Sequence, residues 1–276
     1  REHNAKSGKA NYPIELNPYA VWKRISTDPS ISLVNDINPI ENLKQQEAVT
    51  YSGVGGRMSR SMTKESRAYH PNDMGVISEA TVDSSDVAIN TYTSANPMFV
   101  SLRGRAKKYN FDEPNPTSVL STSALMAVGS DTDDPKRVNF VNIQNSHSIA
   151  CNGYMQAPVR TGYEQVLGQR TSDLFCYAAR KNGKVISKKD NSILIEYEDG
   201  TQKGIILGRR FGAAAGLTIA HEVTSELSIG QEFKKGDIIA YNTGFFEKDF
   251  LNPNNVILKN AVIAKTVLWE STQTHE

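Results

Sequence analysis

Apolar and polar residues alternate over short runs in the C-terminal part of the chain, and Gly, Asp and Asn separate these runs. The clearest case is GKVISKKDNSILIEYEDG at 183–200, in which Asp190 and Asn191 divide two alternating runs. Alternation with a period of two predicts half-buried β-strands, and Asx residues between two such runs predict the turn of a hairpin. We therefore expect residues 159–276 to form a β-barrel-like region of short, mainly antiparallel strands.

The first half of the chain has a weaker period, and the helices that it predicts are short. Residues 1–30 mix Pro, Asn and charged residues, which predicts an irregular lead-in with one short helix. The predicted helical segments are 19–25, 31–50 with an interruption at Pro39, 121–130 and 138–150. Followed by the strand-rich part, this pattern predicts an α+β fold with a helical and loop region first and the β-barrel-like region after it.

A long loop is predicted between the early helices. Residues 52–67, SGVGGRMSRSMTKESR, are rich in Gly, Ser and Arg and have no hydrophobic period. Their GVGG run lacks the Lys and the strand–turn–helix context of a phosphate-binding P-loop. The alternatives are a loop whose Arg57, Arg60 and Arg67 reach nucleic-acid phosphates, and a loop that is only solvated.

Charge and composition restrict the classes of function. The 276 residues carry 31 Lys and Arg against 30 Asp and Glu, a net charge of +1. A free-standing nucleic-acid-binding domain is usually more basic, so contact with nucleic acid must come from local clusters. Two candidate clusters are present: Arg103, Arg105, Lys107 and Lys108, and Arg180, Lys181, Lys184, Lys188 and Lys189.

Several features point to a part of a larger assembly. Hydrophobic residues make up 38% of the chain and the mean hydropathy is −0.45, which is polar for an independent globule. No segment resembles a signal peptide or approaches the about 20 apolar residues of a membrane-spanning helix. Because the chain begins with Arg1 rather than Met, we expect it to be a processed or split portion of something longer.

Residues that often carry catalysis are scattered. The five histidines lack metal-binding spacing, and the two cysteines predict reduced, buried thiols. Residues 208–216, GRRFGAAAG, predict a hinge or a tight packing site. The most informative turn contains Asp133, Asp134 and Arg137, where two carboxylates before a Pro predict a helix cap with Arg137 in solvent.

Seven segments follow one another in an order that is more informative than any one of them. They are NPIENLKQQEAVTYSGVGG (38–56), SRAYHPNDMGVIS (66–78), TDDPKR (132–137), APVRTGYE (157–164), GKVISKKDNSILIEYEDG (183–200), GQEFKKGDIIA (230–240) and LWESTQTHE (268–276). In this order they resemble the Asn-Pro-Leu helix and fork loop, the Arg-Asp-Val-His-Pro run, the His-Asp-Asp-x-x-Arg turn and four later motifs of the β subunit of multisubunit DNA-dependent RNA polymerases.

Departures from that family are also informative. Its Glu-Thr-Pro-Glu-Gly-Pro-Asn run is replaced by ATVDSSD at 80–86, and its external domain is reduced to a short spacer. Such divergence resembles the split polymerase subunits of large bacteriophages. The resemblance implies three parts: a lead-in and fork-loop region at 1–92, the reduced external-domain spacer at 93–122, and the start of the hybrid-binding, β-rich domain at 123–276.

The resemblance implies a role for each matched residue. Arg137 would contact the triphosphate of the incoming nucleotide, beside a turn held by Asp133 and Asp134. Glu276 would lie close to the catalytic metals. The implied nucleic-acid contacts are Gly55, Gly56, Arg57, Arg60 and His147, and the implied structural turn residues also include His70 and Pro71.

The resemblance also implies partners. Catalytic Mg²⁺ would be held by an Asp triad of a β′-like chain, because this chain has no NADFDGD-like sequence and should be inert alone. Expected partners are that chain, the C-terminal β part, template DNA, the RNA transcript and NTPs, without a membrane, in the infected host cytoplasm or the virion. One alternative is a phage structural or interaction protein with a β-rich module. Another is a carrier-type barrel, but this chain has no modifiable Lys at a suitable hairpin tip.

Overall fold

The computed structural model describes residues 16–273. The helices are α1 (Pro18–Ser26), α2 (Pro39–Glu47), α3 (Pro116–Val119), α4 (Thr122–Met126), α5 (Pro135–Ser146) and α6 (Leu167–Arg170). The strands are β1 (Ala48–Thr50), β2 (Ile77–Thr81), β3 (Asn90–Thr93), β4 (Cys176–Ala178), β5 (Gly183–Lys189), β6 (Ser192–Tyr197), β7 (Gln202–Ile206), β8 (Gly208–Ala214), β9 (Leu217–Thr224), β10 (Glu232–Phe233), β11 (Ile238–Asn242), β12 (Phe246–Lys248) and β13 (Val256–Leu258).

Within residues 16–273, four helices begin with an Asx residue followed by Pro. At α2, Asn38 is extended and its side-chain oxygen accepts a hydrogen bond from the backbone N–H of Glu41 at 2.7 Å. Pro39 occupies the first helical position, where a missing N–H costs nothing and the fixed φ suits the helix. The expected helix over 31–50 interrupted at Pro39 is therefore wrong: Pro39 starts the helix, and residues 31–38 are not helical.

The N-terminal half is built around a three-stranded antiparallel sheet in the order β1-β3-β2. Helices α2 and α5 pack beside it. The side-chain oxygen of Asn139 on α5 accepts from the backbone N–H of Thr81 on β2 at 2.9 Å. Strand β3 and helix α4 cross the expected part boundaries at 92/93 and 122/123, and the division into three parts stays a prediction.

The C-terminal half contains two four-stranded antiparallel sheets, β10-β5-β6-β7 and β4-β11-β9-β8, and the pair β12-β13. The α+β class and the β-barrel-like region are confirmed, as is the hairpin, because β5 and β6 pair across Asp190 and Asn191. Within GQEFKKGDIIA both strands form, but β10 pairs with β5 and β11 pairs with β4 and β9. The strand pair that the resemblance implied there is therefore divided between two sheets.

Two apolar clusters hold these layers together. One lies within the C-terminal sheets and includes Val185, Ile193 and Ile195. The other joins the halves of the chain, because Ile40 of α2 shares it with Phe246 of β12. Of the two cysteines, Cys176 lies in this second cluster and Cys151 is exposed, so the expectation of two buried thiols is wrong for Cys151.

A second junction between the halves lies where the segment before α2 meets β8 and β9. The backbone N–H of Asp36 donates to the carbonyl of Ala213 at 2.9 Å, and His221 Nε2 lies 2.8 Å from the carbonyl oxygen of Asp36. A Cβ at Gly212 would stand 2.5 Å from the Cβ of Asp36. Of the two alternatives for residues 208–216, this geometry supports the tight packing site.

Replacing Gly212 by Ala is expected to destabilise the fold by about 1–3 kcal/mol, because the new methyl group overlaps Asp36 and the chain must move apart. Urea unfolding followed by circular dichroism measures the change. Gly204→Ala is the matched control, since Gly204 also lies in a strand and has nothing within 4 Å of its added Cβ. Equal effects of the two substitutions would contradict the packing argument.

The same junction makes stability depend on pH. The Asp36 carbonyl can only accept, so His221 Nε2 carries the proton and Nδ1 accepts from Asn242 Nδ2 at 3.0 Å. Burial lowers the pKa of His221, and the charge of Arg210 adds to this effect, against the opposing influence of Asp36. Folding therefore favours neutral His221, and its contribution is present above about pH 6.5 and is lost as pH falls below that value.

Because many carboxylates also lose stabilising charge in acid, a matched variant is needed to isolate His221. His221→Gln keeps a donor for the Asp36 carbonyl but does not titrate. We expect the melting temperature of the wild-type chain to fall more steeply between pH 7.5 and 5.5 than that of the variant. Parallel melting curves over this range would show that His221 does not contribute.

Candidate nucleotide and nucleic-acid site

The turn before α5 is a helix cap. The Asp134 side chain accepts from the backbone N–H of Lys136 at 3.1 Å, and the Lys136 ammonium lies 3.3 Å from its other oxygen. The Asp133 side chain accepts from the backbone N–H of Asp134 at 2.7 Å. The bond from the Lys136 backbone, with the charges of Lys136 and Arg137, holds the pKa of Asp134 below its usual value. Asp134 is therefore ionised and has its own cation.

One face of α5 is exposed along the whole helix. Arg137, Phe140, Gln144 and His147 are all exposed and follow at spacings of three, four and three residues. At 100° and 1.5 Å per residue they form one stripe, about 80° wide and about 15 Å long. Within residues 16–273, the side chains of Arg137, Gln144 and His147 make no hydrogen bond or ion pair. The stripe is open to a ligand.

The opposite face of α5 is buried although it is mostly polar. Its buried residues are Val138, Asn139, Asn142 and Ser146. Asn38 Nδ2 donates to the carbonyls of Ser146 and Ser148, both at 2.8 Å, and Lys44 Nζ donates to Ser146 Oγ at 3.2 Å. Directional bonds to α2 and β2 thus fix the rotation of α5 and keep its exposed stripe outward.

The predicted fork loop is an exposed turn. Gly55 has φ +76°, which favours glycine, and a Cβ on Gly56 would stand 2.5 Å from the carbonyl oxygen of Tyr51. The backbone N–H of Arg57 donates to that same oxygen at 2.9 Å. The side chains of Arg57 and Arg60 are exposed and, in the described part of the chain, form no hydrogen bond or ion pair.

Arg67 behaves differently from the other two arginines of this loop. Its guanidinium donates to the backbone carbonyls of Ser85 at 2.8 Å and Ser59 at 3.3 Å, with longer bonds to those of Met62 and Val87. The hypothesis that Arg67 reaches nucleic-acid phosphates is therefore wrong. Its donors are occupied in tying the loop to the segment before β3.

His70 and Pro71 belong to a separate short turn of the chain. His70 Nδ1 accepts from the backbone N–H of Asn72 at 3.1 Å and Asp73 accepts from that of His70 at 3.0 Å, which caps a single turn starting at Pro71. Glu276 lies outside the described residues. Helix α2 and strand β1 connect the exposed stripe of α5 to the Gly-rich loop. Asn38 at the start of α2 bonds to the C-terminal end of α5, and β1 leads from α2 into the loop.

The candidate site is a surface rather than a cavity. A cavity of 870 Å³ lies between β5, β6 and β10, and of the candidate residues only Lys184 lines it. Within residues 16–273 no three His, Cys, Asp or Glu side chains are grouped so as to hold a metal ion. No helix described is long and apolar enough to cross a bilayer.

Comparison with known proteins bears on the N-terminal part of the chain. Among curated proteins no match is found. Residues 1–60 match the family model described as bacteriophage RNA polymerase. The matched range contains α1, α2, β1 and the first part of the Gly-rich loop, residues 52–60. Over this range the chain is similar to that phage RNA polymerase family.

Proposed function

We propose that the chain is part of the β-type subunit of a multisubunit DNA-dependent RNA polymerase, and that it forms the fork loop, a contact to the nucleotide phosphates and part of the RNA–DNA hybrid channel. The observation that carries the proposal is the exposed stripe of α5. Arg137 and His147, implied separately by the resemblance, lie on this one face, and within residues 16–273 their side chains have no hydrogen-bond or ion-pair partner. The family match over residues 1–60 also supports a role in a phage RNA polymerase.

The chemistry proposed for this chain is binding and orientation. A guanidinium can make two parallel, charge-assisted hydrogen bonds to a phosphate, and Arg137 has its donors available. Because Lys136 already neutralises Asp134, the charge of Arg137 remains for the ligand. In phosphoryl transfer the attacking and leaving oxygens are stabilised by Mg²⁺, which we expect a β′-like partner chain to hold.

A phage structural or interaction protein is the second candidate, and exposed apolar residues favour it. Trp22 on α1 is 66% exposed and Trp269 is 80% exposed, and neither packs in a core. Such residues mark surfaces that another protein covers. A polymerase subunit needs such surfaces as well, so the partner distinguishes the two functions.

The deciding experiment purifies the chain with its partners from infected cells. The proposal expects chains with an NADFDGD motif in the complex and template-dependent incorporation of NMP by it. Adding back the separately expressed chain should restore activity to a complex that lacks it. A complex without such a partner chain, or with activity that does not depend on this chain, would support the structural role.

A further inference from the structure

Phe140 is the one apolar residue on the exposed stripe of α5. The residue is 41% exposed, whereas the neighbouring Val138 and Asn139 are buried on the opposite face. Other aromatic residues are more exposed, for example Phe211 at 65%. What distinguishes Phe140 is its position, because Arg137 and Gln144 lie within about one helical turn on either side of it and point the same way.

We propose that Phe140 stacks on a nucleobase, so that α5 holds one nucleotide by its phosphate at Arg137 and by its base at Phe140. This inference rests on the proposed function, since it takes Arg137 to bind phosphate. Along the helix axis, Arg137 and Phe140 are about 4.5 Å apart, and Phe140 and Gln144 are about 6 Å apart. A cation, an aromatic ring and an amide in this order match the phosphate, the face and the edge of a nucleotide.

The composition of the stripe favours a nucleotide over a protein partner. A groove-binding helix presents several apolar residues at helical spacing, and here three of the four side chains are polar. None of the four is acidic, and the carboxylate of Asp134 at the start of α5 is paired with Lys136. Base stacking also tolerates every base, as a polymerase requires.

The test compares Phe140→Ala, Phe140→Leu, Phe140→Tyr and Phe140→Trp in the complete polymerase complex. We expect Ala and Leu to lower kcat/KM for NTPs, or the half-life of stalled elongation complexes, by about tenfold, while Tyr and Trp stay within about twofold. Leu keeps apolar contact but has no ring, so this split separates stacking from packing. Phe211→Ala is the control for loss of an exposed ring elsewhere.

The two measurements also locate the base. If only kcat/KM changes, the stacked base belongs to the incoming NTP. If only the half-life of the complex changes, the base belongs to the hybrid or the template. Either result supports stacking. If Phe140→Leu has normal activity and Arg137→Ala has reduced activity, the stacking inference is wrong and the proposed function stands. If both variants have normal activity, the stacking inference and the proposed function are both wrong. Equal losses in all four variants, together with a lowered melting temperature, overturn stacking in favour of packing.

Discussion

Arg137→Ala is expected to lower kcat/KM for NTPs by about 100-fold in the assembled polymerase, since two charge-assisted bonds to phosphate contribute about 3 kcal/mol. The fold should not change, because the side chain is exposed and has no hydrogen-bond or ion-pair partner within the described residues. Single-nucleotide addition measured over a range of NTP concentrations gives the value. An unchanged melting temperature shows that the loss is not caused by unfolding.

Two neighbouring substitutions make the Arg137 experiment specific. Arg137→Lys keeps the charge but not the planar fork, so an intermediate loss is expected. Lys136→Ala removes an adjacent exposed cation and leaves Asp134 without its counter-ion, so a loss smaller than that of Arg137→Ala is expected. If Arg137→Ala elongates at the wild-type rate, α5 does not contact the nucleotide phosphates. If Lys136→Ala is equally impaired, the contact is diffuse charge rather than a bidentate bond.

Local patterns predict the elements that depend on local chemistry. The hairpin of β5 and β6 follows from alternation and an Asx turn, because strand faces and turn residues are set within a few residues of sequence. The same local reasoning predicts an interruption at Pro39, where the structure has the first residue of a helix. Asn38 directly before it was the missed signal, since Asx followed by Pro marks a helix start.

Features that depend on distant partners could not be predicted. The buried face of α5 has no hydrophobic period because Asn139 and Ser146 are buried by hydrogen bonds to β2 and α2. No pattern near those residues identifies Thr81 or Asn38 as the partners. The open stripe therefore could not be recognised from the sequence, although Arg137 and His147 had each been named.

Arg160 differs from the residue in the family pattern and stabilises the fold of this chain. It stands in APVRTGYE (157–164), which resembles the Pro-Leu-Val-Gly-Thr-Gly-Met-Glu segment of the β-subunit family with Arg in place of the first Gly, and sequence reasoning assigns it no role. In the structure its guanidinium donates to Asp249 at 2.9 Å and to Gln156 at 2.9 Å. Asp249 lies 89 positions away and also accepts from Gln165 at 2.7 Å. This buried network joins the segment that contains Arg160 and Gln165 to Asp249, which directly follows β12.

Arg160→Met is expected to destabilise the chain by about 3–5 kcal/mol, because it leaves the carboxylate of Asp249 buried without its cation. The Asp249 side chain is 0% exposed and that of Arg160 is 13% exposed, so water cannot replace the lost partner. Chemical denaturation with urea gives the change in unfolding free energy. The exposed pair of Lys184 and Glu196, 3.7 Å apart, is the control, and Lys184→Met should cost less than about 1 kcal/mol.

The double variant Arg160→Met with Asp249→Asn separates lost charge pairing from lost packing. Asn is uncharged and keeps one oxygen for the backbone N–H of Leu251, which donates to Asp249 Oδ1 at 3.0 Å. The Asn NH2 group replaces the oxygen that accepts from Gln165, and a flip of the Gln165 amide lets its oxygen accept from that group. We therefore expect the double variant to be more stable than Arg160→Met alone, by about 1–3 kcal/mol. If the double variant is as unstable as Arg160→Met, the cost arises from the volume that Arg160 fills. The ion pair would then contribute little to joining the turn to the strands.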